Sequence, residues 1–341
     1  MSVQSPLAAM PRIALVQVVY NSLKFIPHVY PAVKQQTYKD FEFHAVIAGN
    51  DDGSKEYIQE HFPWVKITDP GYNIGFARGH NEIFSTVDAE YFQLVNPDLI
   101  LAADFVEKML EPSESERVAA VGGKLLQFDF NTGEKQNTID STGVIIRKSG
   151  RALDRGQHEP DTGQYDNATD LMAVSGAGAL YSRNALEDVK SSCADGRYQY
   201  FDERFHSYFE DVDLCWRLYN RGWNIRYQPT AVAWHGRGVA SSEGGYSRVL
   251  SYIQHRKDIP LAVRKLTYRN HLSLFLKNSP RLYLRFFGRE FFYHLFVLLT
   301  EPRVLTASSN FLRDLPALWR ERKQLKEIRQ VNLAAAERLL Q

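Results

Sequence analysis

The chain has 341 residues, 44% apolar and 24% charged, the balance of a soluble globular protein long enough for a large core and an appendage. Its formal charge of +1 conceals a split: residues 256–341 carry 17 Lys+Arg against 7 Asp+Glu (+10), and the remainder carries 24 against 33 (−9). An acidic body joined to a basic tail points the tail toward an anionic partner, while two cysteines, Cys193 and Cys215, exclude a disulfide framework or a zinc site and fit a reducing compartment.

The first residues, "MSVQSPLAAMPRIALVQVVY", contain no basic leader followed by an apolar h-region, so a cytoplasmic protein is expected. "IALVQVV" reads as a first strand, and "SLKFIPHVYPAVKQQ" as a helix capped by Ser22, whose two prolines argue for a later start or a kink. "FEFHAVIAG" is a second strand, "SKEYIQEHF" a short helix, "WVKITD" a third strand and "FARGHNEIFSTV" a helix. "YFQLVNPD" is a fourth strand ending in a Pro-Asp turn, and "ADFVEKMLE" and "VAAVGGKLLQF" continue the alternation. Strand–helix alternation with short connections predicts a parallel α/β sheet. Residues 131–170 are polar and hairpin-like, "DLMAVSGAGALYSR" is a further strand, and "EDVDLCWRLYN" a helix with Gly222 near its C-cap. "NIRYQPTAVAWH" is a strand pair or one bent strand; beyond about residue 245 the chain turns helical, aromatic and basic.

In such sheets ligands bind beyond the carboxyl ends of the strands. Three polar clusters fall there: "GNDDGS" (49–54), "DPGYNIGFARGHN" (69–81) and "NPD" (96–98). No phosphate loop, no H-E-x-x-H and no G-x-S-x-G elbow occurs, and "GAGALY" lacks the third glycine of a dinucleotide fingerprint. Asp98 is either a turn aspartate or a ligand for a hard cation, and His235 either structural or the partner that tilts the site from Mg²⁺ toward Mn²⁺. Glu210, Asp211 and Asp213 crowd the start of a helix, where the dipole welcomes negative charge. Asp213 also stands four residues before Arg217, an ion-pair spacing.

Four stretches in a fixed order resemble family 2 glycosyltransferases, and most closely their rhamnosyltransferase-like branch. They are "NIGFARGHN", "LVNPDLIL", "DRGQHEPDTGQYD" with "VSGAGALYSR" after it, and "FDERFHSYFEDVDLCWRLYNRGWNIRYQPTAVAWHGRG", together about residues 12–240. The resemblance implies a type-A nucleotide-sugar-binding fold, with a mostly parallel central sheet flanked by helices. Its catalytic domain would occupy residues 1–245, with a helical C-terminal extension over 246–341. It further implies an inverting, metal-dependent transfer from a nucleotide-sugar donor, first choice dTDP-rhamnose, to a glycan or lipid-linked acceptor in cell-surface polysaccharide synthesis. Carried over by position, Asp211 is the general base with Glu210 beside it, and Asp98 and His235 hold Mg²⁺ or Mn²⁺. Asn50, Asp52, Asn73, Gly75, Arg78, Asn81, Asn96, Asp98 and Gly176 line the donor. Like-charge crowding is expected to raise one carboxylate of the Glu-Asp pair. The family's V-D-N-x-S-x-D-G-S segment is matched by "VIAGNDDGS", so Ile47 and Ala48 replace the expected Asp and Asn, and Asn50, Asp51 or Asp52 would have to take over. The other readings are a non-catalytic sugar-nucleotide- or glycan-binding protein on this fold and a nucleotidyltransferase.

In the tail, "RLYLRFFGREFFYHLFVLLT" (281–300) mixes apolar residues with Arg281, Arg285 and Arg289, and "DLPALWRERKQLKEIR" (314–329) adds basic residues around Trp319. The apolar run is too short to span a bilayer and predicts either a helix lying on an anionic membrane or a helix packed on the body or in a homo-oligomer. Nucleic acid is not expected, because long aliphatic runs separate the arginines.

Overall fold

The computed structural model describes residues 12–49, 52–115, 117–193, 195–236, 256, 258–338 and 340–341. Asn50, Asp51 and residues 237–255 lie outside the described residues. Strands β1 (Ile13–Val19), β2 (Phe41–Ile47), β3 (Lys66–Thr68) and β4 (Tyr91–Leu94) pair in parallel. The crossovers between them are helices α1 (Ile26–Lys34), α2 (Ser54–His61) and α3 (Gly75–Thr86). Every residue of β1 is buried, as a strand covered on both faces requires. Ala14, Val16 and Val18 enter one core cluster and Ile13, Leu15 and Val19 the other.

Strands β5 (Leu99–Leu101), β6 (Val118–Asp129), β7 (Glu134–Ser141), β10 (Ala179–Ser182) and β13 (Asn224–His235) extend this sheet to nine strands in the order β3-β2-β1-β4-β10-β6-β13-β5, with β7 on β6. Helix α4 (Phe105–Ser113) leads into β6, and the pairs β8 (Val144–Ile146) with β9 (Ala152–Asp154) and β11 (Ser191–Ser192) with β12 (Tyr198–Gln199) stand apart. The sheet is mixed rather than purely parallel: β10 runs against both β4 and β6, and β5 against β13. The cause lies in the connections. The long segment after β9 delivers the chain to the edge where the parallel strands end, so β10 must run back from it. Its strand is also shorter than "DLMAVSGAGALYSR" suggests, because the "SGAG" residues are spent on close approaches at that edge.

Helix α1 starts at Ile26, not after Ser22, whose hydroxyl instead donates to Tyr20 O (3.0 Å). Helix α5 (Arg183–Val189) follows β10. "NIRYQPTAVAWH" is one strand whose register slips between Gln228 and Val232, where Pro229 has no N–H for the ladder. Helix α6 (Glu210–Asn220) ends as expected: Gly222 takes φ +77° and the Gly222 and Trp223 N–H groups cap carbonyls 219 and 218.

The tail forms α7 (Leu261–Asn278), α8 (Leu284–Thr300), α9 (Ser308–Glu327) and α10 (Leu333–Arg338). Its buried Tyr268, Phe275, Phe286 and Val297 join the same cluster as Leu214, Trp216 and Leu218 of α6. Part of the charge split is met inside the chain. Lys277 of α7 is buried against Asp202 (2.7 Å) and Asp213 (2.9 Å), and buried Arg322 donates to Leu276 O (2.7 Å). Among the described residues, no helix is long and apolar enough to cross a membrane.

Candidate active site

The site begins where strands stop. Asp98 follows β4 and His235 ends β13, and the pairing His235 with Leu99 sets the two side chains together: Nε2 to Oδ1 is 3.2 Å. Both are about nine-tenths buried. On its other side His235 Nδ1 donates to Oδ2 of Asp140 (2.9 Å), a fully buried carboxylate at the end of β7. Burial opposes a charged imidazole, but the charges of Asp98 and Asp140 prevail and push His235 up to about 10. Asp140 fixes the ring with Nε2 facing Asp98, the outer-shell arrangement that metal-binding histidines use, and the Nε2 proton favoured by this pairing must leave before the ring can ligate a metal. Among the described residues no group of three or more protein ligands is assembled for a metal. Two ligands suit a hard divalent ion that completes its shell with water and phosphate oxygens, so the donor set fits the expected Mg²⁺ or Mn²⁺.

The Glu-Asp pair is delivered by a strained turn. His206, Tyr208 and Phe209 all have positive φ (61°, 72° and 73°), unusual for residues with a Cβ and costing about 1–3 kcal/mol each. The Ala77 N–H of α3 donates to His206 O (3.1 Å), and more of what holds the turn comes from the tail. Fully buried Asn270 of α7 directs Nδ2 at the carbonyls of Phe205 (2.8 Å), Ser207 (2.9 Å) and Tyr208 (2.9 Å). Below it, Asp213 takes Arg217 (2.9 Å), as its spacing predicts, and also Asn278 Nδ2 (2.7 Å).

Asp211 emerges from this turn half-buried. Its Oδ2 accepts the Gly176 N–H (2.7 Å) and its Oδ1 the Val212 N–H (2.8 Å). A Cβ on Gly176 would stand 3.1 Å from the Asp211 carboxylate, so glycine is what lets the backbone come this close. Burial raises the Asp211 carboxyl, the two N–H bonds restrain it, and the charge of Asp154 at the end of β9 adds to the rise, giving about 6. Glu210 is raised well above the usual range, first by burial and then by Asp211, and its Oε2 has no hydrogen-bond partner. Burial, more than the expected crowding, thus leads in both. Ala177, next to Gly176, accepts the Asn96 N–H (2.9 Å), so the "NPD" turn and Asp211 lean on neighbouring residues of one segment.

The expected donor contacts divide. Gly75 is dictated by packing: its φ is +76° and a Cβ would lie 2.3 Å from His206 Nδ1. Asn73 Oδ1 accepts the Gly75 N–H (2.9 Å). Asn81 has a different task from the one expected. Its amide donates to Phe201 O (2.8 Å) and Glu203 Oε1 (3.2 Å) and accepts from the N–H groups of Tyr200 (3.1 Å) and Phe201 (2.9 Å), which saturates it as a brace for the 200–203 segment. Asp52 binds the N–H groups of Leu23 (3.0 Å) and Ser54 (3.1 Å), closing the loop after β1 onto α2. Arg78 remains half-exposed, with Glu82 at 3.4 Å and the Tyr72 ring at 5.9 Å, and the Asn96 side chain is also half-buried. Ile47 and Ala48 are buried, and Gly49 (φ +60°) packs so tightly on Tyr72 and Asn73 that any Cβ would clash at 2.2 Å.

A half-buried carboxylate with a raised pKa, the Asp98–His235 pair and the ends of β4 and β13 lie at one edge of an α/β sheet. The sequence profile of Glycosyl transferase family 2 matches residues 15–190. The chain belongs to this family. Two curated relatives of this family 2 glycosyltransferase are the poly-beta-1,6-N-acetyl-D-glucosamine synthase of Staphylococcus epidermidis and the N-acetylglucosaminyl-diphospho-decaprenol L-rhamnosyltransferase of Mycobacterium tuberculosis. The first is 23% identical over 221 residues, covering 63% of this chain and 47% of that protein, so the chain spans about half its length. The second is 23% identical over 224 residues, covering 60% of this chain and 69% of that protein. In three dimensions the chain resembles the mannosyltransferase PcManGT of Pyrobaculum calidifontis, solved with GDP-Man and Mn²⁺. The match has a TM-score of 0.50 at 16% identity and covers 97% of this chain and 79% of that one.

Three residues of the candidate site carry no sequence signal that reveals them: Asp140, Asp154 and Asn270. Each is an ordinary residue in an ordinary stretch, brought in by the fold from β7, β9 and α7. Asn270 is open to test. Asn270→Ala leaves buried carbonyls without a donor, so stability should fall by about 1–3 kcal/mol in denaturant titration. Turnover should fall more than tenfold with little change in KM, and Asn270→Gln should restore neither fully, because the longer amide cannot sit among the same three carbonyls.

Proposed function

We propose that this transferase moves a sugar from a nucleoside-diphosphate donor to a hydroxyl of a glycan or lipid-linked acceptor by one inverting displacement, in cell-surface polysaccharide synthesis, with dTDP-rhamnose the first choice of donor. The observation that carries this reading is Asp211: a carboxylate pinned by two N–H groups at the sheet edge, with its pKa raised to about 6. Such a group is deprotonated at neutral pH yet basic enough to take a proton in the transition state. The acceptor oxygen attacks the anomeric carbon while the bond from that carbon to the diphosphate oxygen breaks. Its electron pair leaves with the nucleoside diphosphate, and the hydroxyl proton passes to Asp211. Glu210, whose burial favours the protonated form, adds no second charge beside the base. Asp98 and His235 would hold Mg²⁺ or Mn²⁺, which when bound supplies positive charge opposite the departing diphosphate. Arg78, half-exposed beside the Gly49–Asn73 contact, is the side chain offered to the donor's nucleotide or diphosphate. Rhamnose is supported by the branch-specific stretches of sequence and by the relationship to the M. tuberculosis rhamnosyltransferase.

The test is a hydrolysis screen over nucleotide-sugars with and without Mn²⁺ or Mg²⁺, followed by proton NMR of the first-formed anomer. Metal-dependent release of nucleoside diphosphate, fastest from dTDP-rhamnose and with inversion, is expected. Pyrophosphate as the product, or retention of configuration, would overturn the mechanism; a faster donor would replace rhamnose alone.

A further inference from the structure

Helix α8 turns only a narrow strip inward. Phe286, Glu290 and Val297 are buried, while Leu284, Phe287, Phe291, Phe292, Leu298 and Leu299 stand 51–89% exposed along the opposite face. They recur at helical spacing over a helix about 25 Å long. Six large apolar side chains exposed along one face of a single helix form a contiguous apolar surface of the kind that marks an interaction site. The helix exposes no carboxylate: its one acid, Glu290, is buried against His271 Nε2 (2.9 Å).

Of the three arginines the sequence suggests beside this stripe, two are claimed by carboxylates. Arg281 precedes the helix and pairs with Glu337 (3.2 Å), and Arg289 folds back onto Glu290. Arg285 stays exposed, and its companions come from another element. The turn between β8 and β9 packs directly on α8. Gly150 has φ +83°, and a Cβ there would lie 2.6 Å from the Phe286 ring. That contact sets Arg147 and Lys148 beside Arg285, and the three line an open cavity of about 330 Å³ together with Ser149 and Gln341. Among the described residues none of the three side chains pairs with an Asp or Glu, and the backbone N–H of Lys148 donates to Gln341 O (2.7 Å).

We propose that the α8 face and the Arg147–Lys148–Arg285 cavity form one docking surface for an anionic membrane. The apolar stripe enters the boundary of the acyl chains, and the cavity takes the phosphate of a lipid headgroup. An amphipathic helix with cations at the rim of its apolar face has the construction of an interfacial anchor. Charge complementarity selects this occupant over a second copy of the chain. Two copies joined through α8 would bring cation-lined cavities toward a helix face that has no carboxylate to offer. The inference rests on surface chemistry and not on the sugar-transfer reading, and donor hydrolysis in vesicle-free solution reports on that reading separately.

The experiment is flotation of the full chain with vesicles of phosphatidylcholine alone and of phosphatidylcholine with phosphatidylglycerol, at low and high salt. Binding to the anionic vesicles that weakens with salt is expected. The pairs Arg147→Gln/Lys148→Gln and Phe291→Gln/Phe292→Gln should each weaken it by about tenfold or more, at roughly fivefold per cation near an anionic leaflet. Unfolding temperature and donor hydrolysis should stay unchanged in both. Inorganic phosphate at matched ionic strength should release no more protein than chloride does; full release by phosphate alone would make the cavity a free-anion site and overturn the headgroup assignment. In the unsubstituted protein, hydrogen exchange across residues 284–300 should slow when anionic vesicles are added. Equal binding to both vesicle types, binding to neither, or unchanged exchange would overturn the proposal. So would a concentration-dependent dimer in analytical ultracentrifugation that the phenylalanine pair abolishes.

Discussion

Asp211→Asn should lower turnover by roughly a hundredfold or more, the usual scale for losing a general base, with donor affinity nearly unchanged. The substitution keeps the shape of the side chain and one acceptor for the Gly176 or Val212 N–H, but removes the basic oxygen. The sign of the pH dependence follows from the carboxyl's rise to about 6. Above that value Asp211 is ionised and ready; below it the proton is already in place, so kcat/KM should fall tenfold per pH unit on the acid side. In the asparagine variant that limb should vanish from the residual activity. Near-normal turnover, or an acid limb that persists unchanged, would pass the role to Glu210. Stopped-time assays of donor consumption between pH 5 and 8, read against calorimetric donor binding, decide between these outcomes.

Asp98→Ala should weaken divalent-ion binding and nucleoside-diphosphate binding together, because an ion shared between protein and phosphates couples the two. The loss should be at least the 10–100-fold seen when an outer-shell partner of a metal ligand is removed. His235→Ala should act in the same direction, more mildly, and shift the Mn²⁺/Mg²⁺ preference. Asp140→Asn is the sharper probe. It leaves both ligands in place and alters only what orients His235, so a drop in ion affinity there reports positioning rather than ligation. Titration calorimetry that finds metal-dependent diphosphate binding intact in Asp98→Ala and His235→Ala would remove this pair from the role.

The strands and helices before residue 130 were legible because hydrophobic period and turn residues act locally. The exposed sequence logic of "NPD", the Glu-Asp pair and the strand-final histidine likewise named residues that the fold then gathers at one edge. What the sequence could not show depends on distant chain. Nothing near Asn81 reveals that its amide is consumed by residues 200–203, so it reads as a ligand-facing residue. Nothing near Asp140 reveals that His235 will arrive beside it 95 positions later. The direction of β10 follows from where a long connection ends, not from its own residues. The tail arginines show the same limit: the sequence offers Arg281, Arg285 and Arg289 alike, while Glu337 and Glu290 claim the first and the last.

The grip of Asn270 on the strained turn at 206–209 has a consequence for the order of events during synthesis. The residues matched by the family profile emerge first, and the sheet can form around them. The turn that presents Asp211 gains its three carbonyl bonds only when α7, dozens of residues later, is available to dock. Until then the left-handed backbone at Tyr208 and Phe209 lacks these three bonds, keeps those from Ala77 to His206 O and from Asp213 to Phe209 O, and should relax. A nascent chain held on the ribosome with residue 245 as its last exposed position would therefore carry a nearly complete fold and a silent catalyst. Transfer would switch on with the arrival of the tail, so no half-made enzyme would spend donor sugar before its C-terminal helices exist.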